Sequence, residues 1–412
     1  MARVLALSIV VLGHLSLAVI DRPDGAVRGA NLLALHPGWA PIAALAPMPV
    51  FFAAAGWANA TATLVGSAAR LRALVGLGAV VVCSWSTVVI VAAAAAGDAG
   101  VVGDGARIAT QPLWFVAAYV PLAALGGRLG RLGAGHGVLV VGSALVALAA
   151  LDVARFQLDA PEWTGWPGFY LAWGTAWVAG AWWRARCAEG DFDERRAGAL
   201  LLIGAGVACV VLVSVAGYSP ALIDAVPGHR SNTTPPTLYT ALAALAQVGI
   251  FMMGAAALDR AGRRWRRLWD RAGEAAVGVY AWHLTALALC GGVIALGLPV
   301  PDRLTVAWWL TRPLWWTAVL AVTLGFVLVT ATVRARLGRR AGVMGAAPAG
   351  RIELAVVVAA AAGAVVGLRG PRSTPLALAC SGLFLSSWWL FRPRPASSLG
   401  GSARSVAHPP AA

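Results

Sequence analysis

The chain has 412 residues, 59% of them hydrophobic and only 12% charged, with a mean hydropathy of +0.76 and a formal net charge of +15. Soluble domains carry about a quarter charged residues, so this composition excludes a soluble globular enzyme and defines an integral membrane protein built from spans of about 20 residues. All 32 basic residues are arginines and most lie in short stretches between apolar runs, which removes nucleic acid as the partner that the net charge would otherwise suggest.

In chain order, apolar segments at 4–20, 41–65, 73–96, 112–126, 137–151, 167–183, 198–217, 237–258, 275–297, 314–333, 352–368 and 375–391 predict twelve transmembrane helices. The arginines of the connections alternate. The N-terminus, the even-numbered loops and the tail hold 23, and the odd-numbered loops hold 9. The positive-inside rule then puts both termini in the cytoplasm. Tryptophans mark span edges: Trp163 and Trp166 precede the sixth segment, and Trp182 and Trp183 close it. No outer loop is long enough for an extracytoplasmic domain. Residues 392–412 read as a disordered cytoplasmic tail. Five scattered cysteines support neither a disulfide framework nor a metal site, and no phosphate-binding glycine loop, nucleophile elbow or internal repeat is apparent.

The first segment is short, and Ser16 and Ala18 have the spacing of a signal-peptide cleavage site. A histidine inside its apolar run argues for retention, and a true start upstream of Met1 would lengthen it. That histidine, His14, follows Arg3 by 11 residues, which on a helix is 1100°, about 20° from eclipsed. Both side chains therefore project from one face, about 16 Å apart along the axis. With the N-terminus inside, Arg3 sits at the cytoplasmic rim and His14 near mid-bilayer, where a polar residue is a functional candidate by default. The competing role for His14 is packing glue between helices. The competing role for Arg3 is a topology signal.

His283, in "GVYAWHLTALAL", lies at similar depth in another span that starts inside, so the two histidines are expected to face one site. His36 and His229 outside, and His136 and His408 inside, read as solvated. Asn59 and Gln247 are costly to leave unpaired at membrane depth, which makes them candidate site-lining residues. Ser84, Ser86 and Thr87 are expected to bond their own helix backbone.

Arginine, ten residues, then histidine in a first span resembles the signature of the family 3 membrane acyltransferases. "MPVFFAAAGWANA" (48–60), "QPLWFVAAYVPLAAL" (111–125), "SNTTPPTLYTALAALAQVG" (231–249), "VGVYAWHLTALAL" (277–289) and "WWLTRPLWW" (308–316) are similar, in order, to further stretches of that family over about 1–333. Two departures stand out. Ala55 replaces a common serine before Gly56, and the acidic residue usual just upstream of the signature arginine is missing.

The resemblance implies transfer of an acyl group from cytoplasmic acyl-CoA, a co-substrate rather than a permanently bound cofactor, to a hydroxyl of a glycan, lipid or secondary metabolite. Arg3 would bind CoA phosphates through charge-assisted hydrogen bonds, and the extended pantetheine arm would carry the thioester to His14. As general base, His14 would contribute about 10²–10⁴-fold; an acyl-histidine intermediate is an equal reading at this point. His283 would orient His14 or polarise the acceptor, and Trp114 would line the cavity. The expected architecture is all-α and polytopic: a ten-span core at 1–336, two further helices at 337–391 and the tail, in a bacterial plasma membrane. The alternative is a twelve-span secondary transporter of the major facilitator type, suggested by "AAALDRAGRRWRR" (255–267) between two spans.

Overall fold

The computed structural model describes residues 1–21, 28–36, 46–222, 230–338 and 347–393, with Gly38, Trp39 and Ile42. Nearly all of it is helical. The elements are α1 (Ala2–Leu17), β1 (Ala18–Asp21), β2 (Arg28–Asn31), α2 (Leu32–Leu35), α3 (Met48–Asn59), α4 (Leu64–Ala96), α5 (Gly100–Thr110), α6 (Trp114–Ala124), α7 (Gly126–Phe156), α8 (Pro167–Ala188), α9 (Glu194–Ser214), α10 (Leu238–Arg264), α11 (Arg266–Ala295), α12 (Val306–Gly338), α13 (Ala349–Leu368) and α14 (Thr374–Leu390). Among the described residues seven helices are long and apolar enough to cross a membrane alone; α1 and α14 are shorter apolar helices. Each of the twelve expected segments holds a helix, with α5 and α6 forming one crossing broken by a 3-10 turn at Gln111–Leu113. The protein is thus an all-α polytopic membrane protein. One small antiparallel hairpin departs from this, pairing Ala18 with Asn31 and Asp21 with Arg28 where α1 ends.

The helices alternate between an arginine-rich end and an opposite end. At the former, the start of α7 packs on the end of α3, and the Arg184 Nη1 donates to the carbonyl of Trp57 at 3.0 Å. At the latter, the backbone N–H of Leu238 donates to Asp152 at 2.7 Å, tying the start of α10 to the end of α7. Without water to drive apolar helices together, close packing relies on small residues. α3 and α8 cross so closely that a Cβ on Gly56 would strike the carbonyl of Trp177, and one on Gly180 would strike that of Ala53.

Several boundaries differ from the sequence expectation. Among the described residues the α-helix of the second segment is Met48–Asn59, and the Thr63 side chain then caps the next helix by accepting from the Gly66 N–H at 3.1 Å. α4 then runs 33 residues, carrying Arg70 and Arg72 inside it rather than in a loop. Arg155 and Arg312, counted as loop residues, lie inside α7 and α12 and are buried, at 2% and 8% exposure. Arginine is a good helix former, so neither residue ends its helix, and α12 also runs on through Pro313, its eighth residue.

The two helices beyond the expected ten-span core pack on it directly. α14 lies along α4, where Phe384 fills the space over Gly78, and α13 lies along α6, where Gly363 and Gly367 meet Ala117 and Trp114. The expected tail lies outside the described residues beyond Pro393, as do His229 and His408.

Candidate active site

α1 buries the face that carries Ala6, Leu7, Val10, Val11 and Leu15 against α11, α3 and α12. Arg3 and His14 lie on that same face by helical phase. Arg3 remains exposed at the rim, and no hydrogen bond or ion pair among the described residues holds its guanidinium. Met1 lies against Gly262 and Val4 against Gly273, so Arg3 sits beside the corner of α10 and α11 that bears Arg263, Arg264, Arg266 and Arg267.

His14 meets His283 of α11. Their Nδ1 and Nε2 atoms are 2.7 Å apart, and the rings are within 3° of parallel. The 5.0 Å centroid separation equals that bond plus a ring radius at each end, so the rings lie edge to edge in one plane rather than stacked. The other nitrogen of His283, Nδ1, is 2.6 Å from the carbonyl oxygen of Tyr280. A carbonyl only accepts, so His283 Nδ1–H donates to it, which leaves His283 Nε2 as an acceptor in the neutral ring. His14 Nδ1–H therefore donates to His283, and the remaining lone pair of a neutral His14 is on Nε2. His283 is fully buried, whereas His14 is half-buried.

An aromatic wall supports this pair. The Tyr280 ring is 5.6 Å from His283 and 5.1 Å from Phe115, and Phe115, Phe51, Phe52 and Trp173 continue the network to Trp114. Trp114 joins this network through Trp173 and Phe169, and no ring contact or hydrogen bond among the described residues links it to either histidine. Asn59 is 3% exposed at the arginine-rich end, where its amide donates to the carbonyl of Ala55 in its own helix at 2.8 Å. Gln247, 8% exposed in α10, donates to the carbonyl of Ala46 at 3.1 Å. The structure brings His14 and His283 together and places Arg3 on the same helix face. It does not bring Asn59, Trp114 or Gln247 into contact with them.

Of the three hydroxyls expected to bond their own helix, Ser84 and Thr87 do so, to Val80 and Cys83. Ser86 instead donates to the carbonyl of Ala377 in α14 at 3.1 Å, because close packing of α14 on α4 puts that carbonyl within reach.

Sequence reasoning missed a second polar centre at the opposite end. Asp152 Oδ2 accepts from the Tyr218 hydroxyl at 2.9 Å, and Arg155 donates to Glu162 at 2.6 Å with Asp152 at 3.6 Å. Burial, with the Asp152 carboxylate alongside, pushes the Tyr218 hydroxyl above its ordinary range, so it remains a donor. Phe156, flanked by Arg155 and Arg230, opens onto a cavity of about 230 Å³ lined also by Gln157, Tyr218, Ser219 and Asn232. The carboxylate and the arginine three residues apart in "LDVARF" were the available signal.

The helical bundle with paired histidines in its interior defines a polytopic membrane protein with a polar intramembrane centre. The profile of the family described as acyltransferase domain, the family 3 acyltransferases, matches residues 1–332. The chain belongs to this family and is a membrane acyltransferase. α13 and α14 lie beyond the matched region. Comparison with curated proteins and with solved structures found no match. The family match disfavours the transporter alternative. The Asp259 and Arg263 that suggested it form an exposed pair one helical turn apart, at 2.9 Å.

Proposed function

We propose that the protein transfers an acyl group from acyl-CoA to a hydroxyl of a glycan, lipid or secondary metabolite, with His14 as general base. The observation that carries this is the hydrogen-bond chain from His14 through His283 to the Tyr280 carbonyl. Such a base is most effective when a third group fixes its tautomer and orientation, and this chain leaves Nε2 of His14 as the basic nitrogen.

The acceptor hydroxyl gives its proton to His14 Nε2 as its oxygen attacks the thioester carbon. The tetrahedral intermediate then collapses, the carbon–sulfur bond breaks, and the CoA sulfur leaves with the proton returned from the imidazolium. His283 does not touch substrate in this scheme; it is a positioning residue whose Nε2 accepts from His14 in both protonation states. Arg3 and the arginine corner beside it provide donors for the CoA phosphates, and about 16 Å of helix separates that rim from His14. By the arginine bias this end faces the cytoplasm of a bacterial plasma membrane, where acyl-CoA is found. Trp114 belongs to the aromatic wall that backs the pair, and Asn59 and Gln247 each donate one hydrogen bond to a backbone carbonyl while remaining candidates for lining the acceptor's path.

The test is acyl transfer from radiolabelled acetyl-CoA to endogenous lipid and polysaccharide in membranes carrying wild type or His14→Ala at equal abundance. Loss of label in the variant is the expected result. Labelling at the wild-type rate would refute the base assignment, and label recovered on His14 itself would replace base catalysis with an acyl-histidine route.

A further inference from the structure

The other buried arginine of the described residues, Arg155, is met by Asp152 and Glu162. Arg312 is not. It is 8% exposed, yet no carboxylate and no hydrogen-bond acceptor among the described residues reaches its guanidinium, and its Nε is sealed from solvent without a partner. It stacks 3.9 Å over the Trp308 ring and 5.6 Å from the Trp315 ring. Cation–π contacts recover only a small part of what burying an unpaired ion costs. An intramembrane cation left in this state points to a missing anion.

Its surroundings say where that anion would come from. α12 begins at the end opposite the arginine-rich rim, and Arg312 is six residues in, about 9 Å along the axis. Trp308 packs with Val19 and Leu32 beneath the β1–β2 hairpin. Trp315, one turn further in, donates its indole N–H to the carbonyl of Leu15 at 3.3 Å, the residue next to His14. Arg312 thus lies on the side of the histidine pair away from Arg3, joined to the His14 helix through one tryptophan.

We propose that Arg312 is the receptor for an anionic oxygen group, a carboxylate or phosphate, carried by the acyl acceptor as it approaches from the end opposite the arginines. The planar guanidinium fork suits either group bidentately, and an anion held there would present the acceptor's hydroxyls toward the His14 helix. Anion binding at Arg312 stands without the acyl-transfer reading; that the anion belongs to the acceptor rests on it.

The full chain, purified in a neutral detergent, would be melted alone and with inorganic phosphate, with glucuronate, and with phosphatidylglycerol, against Arg312→Met and Arg312→Lys. Bound anion raises the melting temperature by mass action. Expected is a rise with at least one anion in wild type, with the half-saturating concentration at least tenfold higher in Arg312→Met. Without anion, Arg312→Met should melt no lower than wild type, since an apolar side chain of similar length replaces an uncompensated charge. A response to phosphatidylglycerol alone assigns the anion to a lipid headgroup, and a response to the soluble anions assigns it to a free acceptor. Equal shifts in wild type and Arg312→Met, no shift with any anion, or a lower melting temperature of Arg312→Met without anion would each overturn the proposal. The shift must persist in His14→Ala, so that loss of acyl transfer and loss of anion binding are read separately.

Discussion

His14 of α1 and His283 of α11, 269 residues apart in the chain, share one hydrogen bond of 2.7 Å in a common ring plane. Because Tyr280 accepts from the far nitrogen of His283, the pair has a direction, and the two residues have unequal parts to play. His14→Ala should lower acyl-transfer turnover about 10²–10⁴-fold. His283→Ala, which removes only the positioning partner, should cost about 10–100-fold. The double variant should be no worse than His14→Ala, since groups that act as a unit are not additive. Turnover in membranes matched for protein amount checks all three, and an additive double variant would separate the two residues.

Arg3 is exposed at the rim, one helix face below His14 and beside the arginine corner of α10 and α11. Arg3→Ala should raise the KM for acyl-CoA by about tenfold, the worth of one charge-assisted contact, while changing kcat less. Steady-state kinetics with varied acyl-CoA decides it, and an unchanged KM would remove the phosphate role.

Gly56 and Gly180 let α3 and α8 touch backbone to backbone. Gly56→Ala should destabilise the protein by about 1–3 kcal/mol, because a methyl group driven against the Trp177 carbonyl can be relieved only by moving a helix. Gly204→Ala, where a Cβ meets nothing within 4 Å, should be neutral or slightly stabilising. Melting in detergent compares them directly.

At the opposite end, Asp152 and Arg155 are both 2% exposed, while the Glu162 side chain is 63% exposed. Asp152→Ala leaves a buried guanidinium short of one counter-ion and orphans the Leu238 N–H, for an expected loss of about 3–5 kcal/mol. Glu162→Ala should cost about 1 kcal/mol or less, as expected for a largely solvated partner. Equal losses would mean that the exposed Glu162 contributes as much as the buried Asp152 to the neutralisation of Arg155, and would overturn this ranking.

How much was legible follows from which forces act along the chain and which act across it. The short interrupted second segment, the helix running through Arg312 and Pro313, and the Ser86 bond to Ala377 all depend on neighbours that no local pattern specifies. Depth marks Asn59 and Gln247 as polar groups that need a partner and does not say which one. Asn59 found its own helix carbonyl and Gln247 a loop carbonyl.

The sequence by itself determined the membrane class, the twelve helical segments, the common face of Arg3 and His14 and the acyltransferase family, since hydropathy, helical period and motif order are properties of local stretches of chain. Only the tertiary structure decided that His283 is the partner of His14, that the Tyr280 carbonyl sets the direction of their bond, and that among the described residues Arg155 has counter-ions while Arg312 has none. The histidine pair depends on the meeting of α1 with α11 and α12, where Val11 and Leu15 pack with Leu284, Leu287 and Val319, and contacts between residues so far apart in the chain are not encoded in residue spacing.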